Sequence, residues 1–324
     1  MVDVANSVTV PGTVTAPRGV TPRLLLSLFP GADLLGRGFE QAGYVVTRGP
    51  DTLYGQDICR FSLAAVSRAF EGIFGGSPCQ DFSRRRRAPP TGYGVKMLKE
   101  FCRLVTEAEP DWWLLENVPG VPDVEIAGYT IQRFNLFAAE CGVQQLRNRR
   151  FQFGSRDGRK LVLQRGTMSQ NLLPAALASE DTNRRRRNFA DLCELQGLPR
   201  SFRLPGLSRS AQFRAVGNGV PVPVAYAVAC AIRDRQVTHS LGLRLCECDC
   251  GRPVTGRQRL ATAACRKRME RQRRAESLCR GRSQGPEGHA WHGHTDSAAD
   301  GHERDHVTAI CFDFEKPGIN TATG

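Results

Sequence analysis

The length and charge of the chain limit what the protein can be. Its 324 residues suffice for one large hydrophobic core and a smaller appended unit, and they contain no run of about eighteen apolar residues and no secretory-signal pattern at the amino terminus. Together with a formal net charge of +13, this predicts a monomeric, cytoplasmic protein that binds no membrane and has a polyanionic partner, nucleic acid before lipid.

The first predicted elements are a strand, a glycine turn and a helix. Residues 1–23 are rich in Val, Thr, Pro and Gly without a lasting period, which is typical of a flexible leader. The apolar run at 24–29 predicts a strand buried on both faces, and an amphipathic stretch at 33–42 predicts a helix. Because Gly31 lies in the turn between them, the unit resembles the opening of a nucleotide-binding α/β fold.

Two aspartates follow a second predicted strand at 44–47. Asp51 lies about twenty residues beyond the glycine turn, where such folds carry an acidic residue that binds a ribose. Asp57 follows in the sequence GQDI. Taken singly, each of the two is equally typical of a residue that caps a loop.

A cysteine then lies in the sequence GGSPCQDFS, directly after an apolar run. The glycines and Pro78 predict a tight turn that presents Cys79 at the end of a strand, which suits a nucleophile. Positive charge close behind it should help the thiol to ionise, compared with a thiol in an apolar core. A small buried cysteine is the alternative. The charge comes from four consecutive arginines, Arg84, Arg85, Arg86 and Arg87.

A strongly apolar strand is predicted at 112–118, after a helix at about 94–109. It carries Glu116 and Asn117 at its end. A carboxyl group that terminates a buried strand is a candidate for a raised pKa and for general acid chemistry. A carboxylate that caps a neighbouring turn is the alternative.

The sequence QLRNR leads into another predicted strand at 151–153. Arg147 and Arg149 occupy alternate positions of an extended segment, so their guanidinium groups should point to one side. Such a pair suits an anionic or carbonyl-rich ligand, although a solvated run of charge is the usual explanation.

These stretches resemble the motifs of the DNA (cytosine-5) methyltransferase family, and they occur in that family's order. The resemblance runs from Leu24 to Ile232. The matching sequences are LFPGADLLGRGFEQAG, GSPCQDFS, LLENV, QLRNR, LCELQGLP and GNGVPVPVA.

The resemblance implies an α/β, Rossmann-like fold of the S-adenosylmethionine-dependent methyltransferases with a mostly parallel sheet. The catalytic and cofactor-binding domain would comprise residues 24–153 and return at 189–236. Between these parts, only 154–188 remain for a target-recognition segment, which is very short for the family.

The resemblance also implies an activity, transfer of methyl from S-adenosylmethionine to carbon 5 of cytosine in double-stranded DNA. Cys79 would attack carbon 6 of a flipped-out base, and Pro78 would shape the turn. Glu116 would hold or protonate ring nitrogen 3, with Asn117 positioning it. Arg149, with Arg147 nearby, would stabilise oxygen 2. The arginines at 84–87 would grip DNA phosphates.

Further positions match the family's cofactor-binding motifs. Asp51 would bind the ribose hydroxyls and Asp57 the adenine amino group, while Asn218 would also support the catalytic loop. The complete set carried over by motif position is Phe29, Gly31, Asp51, Asp57, Ile58, Asn218 and Val220.

The sequence departs from the family's pattern at two motifs. Asp33 stands where the first motif usually has a second glycine. Ala190 and Asp191 stand where the ninth motif usually has Arg-Glu, which should shorten or remove a structural salt bridge.

A cysteine cluster lies beyond the family motifs, in a predicted module at 244–280. The spacing of Cys246, Cys248, Cys250 and Cys265 is compatible with one structural zinc ion or with reduced thiols that bind no metal, and Cys279 is a substitute ligand. A basic, helical stretch follows the cluster. We expect this module to add DNA contacts that the short recognition segment lacks. The final stretch, 281–324, is predicted to be disordered.

Two other functions fit the same sequence. One is an RNA cytosine-5 methyltransferase, since the arginine run and the cysteine module do not distinguish the two nucleic acids. The other is a nucleic-acid-binding protein without catalysis, although the intact cysteine, glutamate and arginine set argues against it. The compact architecture is typical of a phage or prophage enzyme that protects DNA from restriction.

Overall fold

A computed structural model gives the structure of residues 24–84, 86, 88–168, 171–178, 187–234, 244–282 and 309–311. Of residues 275–282 it describes the backbone only. The predicted leader, residues 1–23, lies outside this part of the chain.

Ten strands and six α-helices lie in the described residues. The strands are β1 (Leu24–Leu28), β2 (Val45–Arg48), β3 (Gly72–Gly76), β4 (Trp112–Asn117), β5 (Asp123–Glu125), β6 (Thr130–Phe137), β7 (Gln145–Leu146), β8 (Asn148–Ser155), β9 (Leu173–Pro174) and β10 (Ala309–Cys311). The helices are α1 (Leu34–Gln41), α2 (Tyr93–Ala108), α3 (Phe189–Leu195), α4 (Arg209–Asn218), α5 (Val222–Arg233) and α6 (Ala263–Arg282).

Six of the strands form the central sheet, in the order β2-β1-β3-β4-β8-β6. The first four are parallel, and β8 runs antiparallel to both β4 and β6. The carboxyl ends of β1, β3 and β4 therefore meet at one edge of the sheet, which is where open α/β sheets bind ligands. The predicted α/β fold with a mostly parallel sheet is confirmed.

Strand β4 is the centre of the hydrophobic core, and all six of its residues are buried. Its side chains alternate between the two faces of the sheet, as a strand's must. Trp112 and Leu114 pack in the cluster that contains residues of α1 and α5. Trp113 and Leu115 pack in the cluster that contains residues of α2. Helices thus cover both faces of the sheet.

Two glycines make room for the tryptophans of β4. A Cβ added at Gly72 would lie 2.2 Å from the Trp112 ring, and one added at Gly154 would lie 2.2 Å from Nε1 of Trp113. The neighbouring strands β3 and β8 can therefore accept the indole rings only with glycine at these positions.

The predicted elements agree with the structure to within a few residues. The helix expected at 94–109 is Tyr93–Ala108, and it ends at Glu109, whose positive φ of 48° stops the helix just before Pro110. The strand expected at 151–153 is longer than predicted, Asn148–Ser155, because it pairs with strands on both sides.

One stretch of the described residues, Arg209–Arg233, is apolar and long enough to cross a membrane by composition alone. In the structure it consists of α4 and α5, and 56% of its most apolar window is buried inside the protein. The core helices of a folded domain pass the same test, so the stretch is weak evidence for a membrane span.

Residues 244–282 form a separate small unit against the central sheet. Cys246, Cys248, Cys250 and Cys265 make its core, together with Val254. Farther along the chain, β10 pairs with β5 in parallel. This short strand belongs to the tail that was predicted to be disordered, most of which lies outside the described residues.

Candidate active site

The loop that carries Cys79 is held at both ends by buried polar groups. Strands β3 and β4 pair with Gly76 opposite Glu116, so the next residues, Ser77 and Asn117, are also neighbours. The Asn117 amide nitrogen donates to the Ser77 carbonyl and to its hydroxyl, both at 3.0 Å. At the other end, Asp81 accepts hydrogen bonds from backbone N–H groups at the start of α2, including that of Gly94 at 2.8 Å. The turn is therefore anchored on either side of the thiol.

Burial governs the acidity of the Cys79 thiol. Desolvation raises the pKa of Cys79 above its ordinary value, and the negative charge of Glu116 raises it further. The positive charges of Arg149 and Arg147 oppose this shift. The sequence predicted easier ionisation, with the charge supplied by the arginine run behind the loop. The structure instead gives a raised pKa, and the opposing charges come from the segment around β8.

Glu116 lies beside the thiol loop and is 7% exposed. Its Oε1 is 2.8 Å from Nε of Arg149. Its Oε2 faces Gly76, where an added Cβ would lie only 2.8 Å away. Burial raises the pKa of Glu116, and the two arginines oppose the shift. The carboxyl group therefore keeps its proton to a higher pH than an exposed glutamate would.

The two arginines of the QLRNR sequence have different surroundings. Arg149 faces Glu116, whereas Arg147 is 3% exposed and donates to four backbone carbonyls. The acceptors are the carbonyls of Ala176 at 2.7 Å, Gly217 at 2.9 Å, Asn218 at 3.0 Å and Gly219 at 2.7 Å. Arg147 thus fixes the end of α4 against the β7–β8 junction, while Arg149 is the arginine that contacts the carboxylate.

A cleft opens at the carboxyl ends of β1, β3 and β4, beside the start of α1. Its lining brings together residues that are far apart in the sequence, including five that were singled out there, Phe29, Gly31, Glu116, Asn218 and Val220. Phe29 and Gly31 both have positive φ, of 54° and 53°, which bends the chain sharply between β1 and α1. The cleft therefore reaches from the glycine turn to the buried carboxyl group.

Asp51 and Asp57 both act as loop caps in the structure. The Asp51 carboxylate accepts hydrogen bonds from the N–H groups of Gly31 at 2.9 Å and Leu53 at 2.7 Å. Asp57 caps the next turn by accepting from Cys59 N–H at 2.9 Å, and it also lines a second cavity. Ile58 is 5% exposed and packs in the core behind it.

Asp33 provides the first turn of α1 with a buried carboxylate. It has a φ of 50°, which an aspartate tolerates better than most residues. Its Oδ1 accepts from Ser27 Oγ at 2.9 Å and from Gly36 N–H at 3.0 Å. Its Oδ2 pairs with Nε of Arg48 at 2.8 Å. Since Asp33 lines the first cavity and Arg48 the second, this ion pair joins the two.

Two of the four arginines after the cysteine loop belong to the described residues. Arg84 and Arg86 are exposed, and the Arg86 guanidinium donates to the Asp81 carbonyl at 3.4 Å. Arg85 and Arg87 lie outside the described residues. Pro78 is half-buried directly before the cysteine.

The four cysteines of the terminal unit converge on one point. Their Sγ atoms all lie within 4.8 Å of one another, and all four side chains are buried free thiols. The Cys246 and Cys248 sulfurs are 3.4 Å apart, and those of Cys250 and Cys265 are 3.8 Å apart. Cys279 lies in the part of α6 whose side chains are not described.

The sequence analysis did not identify the residues whose role depends on which segments are neighbours in the fold. Ser77, Gly76 and the carbonyl-binding role of Arg147 depend on which strand lies next to which. An alternating run of arginines gives no signal that separates one that faces a ligand from one that faces backbone. The pairing of β4 with β3 and β8, and the packing of the end of α4 against Arg147, supply that information.

Comparison with known proteins places these motifs in one family. The family model of the C-5 cytosine-specific DNA methylases matches residues 53–178 and 169–234, more than half of the chain. All of the candidate catalytic residues lie inside the match. The cysteine cluster lies outside it.

Curated relatives are bacterial Type II methyltransferases. M.HgiDI of Herpetosiphon aurantiacus is 30% identical over 161 residues, which cover 41% of this chain and 52% of the relative. M.FnuDI of Fusobacterium nucleatum is 33% identical over 164 residues, which cover 41% of this chain and 46% of the relative. In these alignments the chain spans about half the length of the relatives it matches.

Solved structures with a related arrangement include those of two eukaryotic methyltransferases. The Entamoeba histolytica methyltransferase EhMeth is 12% identical with a TM-score of 0.49, and the alignment covers 66% of this chain and 99% of that chain. The Schizosaccharomyces pombe Dnmt2 methyltransferase is 11% identical with the same TM-score and the same coverage.

Proposed function

Because the chain belongs to the C-5 cytosine-specific DNA methylase family, we propose that it transfers a methyl group from S-adenosylmethionine to carbon 5 of cytosine in double-stranded DNA. The observation that carries the proposal is that Glu116, which lines the cleft that begins at the glycine turn, pairs with Arg149 and lies near enough to Cys79 for its charge to act on the thiol. A nucleophile, an acid and a cation are the three groups that this reaction needs.

The nucleophile makes carbon 5 reactive. Carbon 5 of cytosine is a weak nucleophile, so the Cys79 thiolate first forms a bond to carbon 6, which makes carbon 5 enamine-like. Carbon 5 then takes the methyl group. A water molecule accepts the proton from carbon 5 as the carbon–sulfur bond breaks, and the electron pair of that bond returns to Cys79 as the thiolate. Since burial raises the pKa of this thiol, the arginine charges beside it help to make the thiolate available.

Glu116 and Arg149 stabilise the charge that this attack creates. A glutamic acid whose pKa is raised by burial can donate a proton or a hydrogen bond to ring nitrogen 3 at a higher pH than an exposed glutamic acid could. The Arg149 guanidinium is paired with that carboxyl group, so with a base held by Glu116 it would donate to oxygen 2, the oxygen next to nitrogen 3. Arg147 supports the site from behind, since its donors are bound to backbone carbonyls.

The cleft between the glycine turn and α4 fits the methyl donor. S-adenosylmethionine supplies an electrophilic methyl group when it is bound. Space at Gly31, where an added Cβ would meet no atom within 4 Å, leaves the backbone of the turn open to a ligand. Phe29, Asn218 and Val220 line the same cleft. Asp57, in the adjoining cavity, is suited to the adenine end, and Asp51 holds the glycine turn in shape.

DNA must present the cytosine to this site outside the helix. The target carbon is inaccessible in a duplex, so the base is flipped out, which costs a few kcal/mol. Exposed Arg84 and Arg86, together with Arg85 and Arg87 of the same run, are suited to phosphate binding beside the cysteine loop.

The test is methylation of duplex DNA by the purified full chain, read by bisulfite sequencing. Methylated cytosines with the wild type and none with Cys79→Ser would support the proposal. A duplex that carries 5-fluorocytosine adds a test of the covalent step, because fluorine cannot leave as a cation and the adduct should persist in a denaturing gel. Methylation of RNA but not of DNA would contradict the proposed substrate, and failure on both would contradict the activity.

We further propose that the cysteine cluster holds one structural zinc ion. Four thiolates at about 2.3 Å from a tetrahedral ion lie about 3.8 Å from one another, and the sulfur distances of 3.4 and 3.8 Å are close to this value. The measurement is metal content of the purified chain. One zinc per chain in the wild type, with less than half of that in Cys250→Ser and no change in the control Cys230→Ser, is expected. Four reactive thiols without metal would contradict it.

A further inference from the structure

The helix α6 presents a strongly cationic face. Between Arg266 and Arg274 it has six cations and a single carboxylate, Glu270. Cys265 is buried and Met269 is half-buried, which defines the inner side of the helix. Five of the cations are exposed, Arg266, Lys267, Arg271, Arg273 and Arg274. At 3.6 residues per turn, Lys267, Arg271 and Arg274 fall on the side opposite Cys265, and Arg266 and Arg273 fall on one flank of the helix.

The cysteine unit that begins this helix is attached to the catalytic domain by buried and half-buried polar contacts. Glu140, 7% exposed, pairs with both Arg165 and Arg252. Leu163 N–H donates to the Gly251 carbonyl at 2.8 Å. The Gln132 side chain donates to the Asp249 carbonyl at 3.1 Å. These contacts hold the start of α6 at a fixed place on the sheet.

That place is close to the candidate active site. Arg268 of α6 donates to the Arg133 carbonyl on β6 at 3.1 Å. Arg133 pairs across the sheet with Gln152, and Gln152 pairs with Leu115, the residue before Glu116. Two strand spacings separate β6 from β4, so the carbonyl that Arg268 contacts lies about 10 Å across the sheet from the strand that carries Glu116.

We propose that the exposed cationic face of α6 binds the phosphate backbone of the DNA duplex whose cytosine enters the active site. The inference rests on the proposed function for the identity of the duplex. Residues 266–274 span about 12 Å of helix, and a duplex carries about one charge per 1.7 Å of its axis, so several phosphates lie within reach of this face. The residues that make these contacts lie outside the match to the family model. Their phosphate contacts would add to the DNA contacts of the short predicted target-recognition segment between β8 and α3.

The test is binding of a short DNA duplex by the full chain, with the triple substitution Arg266→Gln, Lys267→Gln and Arg273→Gln. If each cation neutralises one phosphate, the slope of log K against log salt falls in magnitude by about 2.7, and affinity falls at least about tenfold at low salt. Glu270→Gln on the same face should tighten binding.

Arg68→Gln is the control. This exposed arginine pairs with Glu109 near the opposite ends of the strands, so its substitution should change neither the affinity nor the salt slope.

Each outcome has a defined meaning once zinc content and thermal melting show that the variants are folded. An unchanged affinity and salt slope in the triple variant overturns the inference. A loss for an RNA duplex of the same sequence, with none for DNA, also overturns it. Methylation of the same duplex is measured in parallel, so a protein that binds through α6 without methylating would refute the proposed function and support this inference.

Discussion

Glu116 and Cys79 are titratable groups that influence each other at the scale of single residues. Desolvation raises the pKa of both, and the negative charge of Glu116 raises that of Cys79 further. The reaction needs the thiolate of one and the acid form of the other. Arg149, paired with Glu116 at 2.8 Å, lowers both pKa values and so helps the thiol while it opposes the acid. Activity is therefore expected to fall at low pH, where the thiolate is lost, and at high pH, where the acid form of Glu116 is lost.

Substitution of Glu116 should lower the pKa of the Cys79 thiol. In Glu116→Gln the negative charge beside Cys79 is lost, so the pKa of Cys79 should fall and its alkylation by iodoacetamide should begin at lower pH. Peptide mass spectrometry across a pH series measures this for Cys79 alone. Glu194→Gln, on an exposed glutamate that pairs with Arg200, is the control. If the pH midpoint of Cys79 alkylation is unchanged or higher in Glu116→Gln, the Glu116 charge does not raise the pKa of Cys79.

Substitutions of the two arginines of QLRNR should differ in whether they lower mainly kcat or mainly the free energy of unfolding. Arg149→Ala is expected to lower kcat about 10²–10³-fold, because a donor at the reacting base is lost, with a smaller effect on unfolding. Arg147→Ala should lower the free energy of unfolding by about 3 kcal/mol, because it leaves buried carbonyls without donors. Denaturant unfolding and steady-state kinetics on both variants test this. A stable, inactive Arg147→Ala protein would argue for a direct catalytic role instead.

At the scale of elements, buried side-chain amides and one guanidinium join segments that are distant in sequence. Gln145 donates to the Leu195 carbonyl at 2.7 Å, and Gln196 donates to the carbonyls of Val216 at 2.7 Å and Gly219 at 3.0 Å. With Arg147, they connect the β7–β8 junction, the end of α3 and the end of α4. The sequence predicted that a salt bridge at the start of α3 is shortened or removed, and Asp191 there pairs with Arg200 at 2.7 Å.

The fit of β8 against β4 can be tested by a double-mutant cycle. Gly154→Ala places a Cβ 2.2 Å from Nε1 of Trp113, so it should lower the free energy of unfolding by about 1–3 kcal/mol. In a Trp113→Leu background the same substitution should cost less, because the indole that it meets is gone. Chemical denaturation of the four proteins gives the coupling. Equal costs in both backgrounds would show that the indole is not the obstacle.

At the scale of the whole molecule, one buried carboxylate connects the cysteine unit to the catalytic domain. Glu140 follows β6 and pairs with Arg165 and Arg252, which come from either side of the junction. Burial and the nearby charge of Arg252 lower the pKa of Arg165, while Glu140 raises it. Glu140 is therefore a buried anion between two cations at this junction, which the partly exposed Lys160–Asp249 pair also crosses.

Removal of that anion should loosen the junction. Glu140→Gln leaves two cations without their partner, and we expect a loss of about 3 kcal/mol in the unfolding of the cysteine unit. Proteolysis at the unit and the midpoint of zinc release measure it. Glu247→Gln, on a glutamate of the same unit that pairs with exposed Arg259, is the control and should change little. Equal behaviour of the two variants would contradict the role of Glu140.

The sequence by itself determined the local elements, the order of the motifs and the identity of the thiol, acid and arginine that carry the proposed chemistry. The periodicity of apolar residues, the glycine turns and the spacing of the cysteines are local properties, so they can be recognised in the sequence without the fold. The structure alone decided that Asn117 holds the cysteine loop, that Arg147 binds backbone while Arg149 faces Glu116, and that Asp51 braces the glycine turn. The direction in which the pKa of Cys79 shifts could also be found only from the structure, because burial and cross-strand distances arise only when the strands pair.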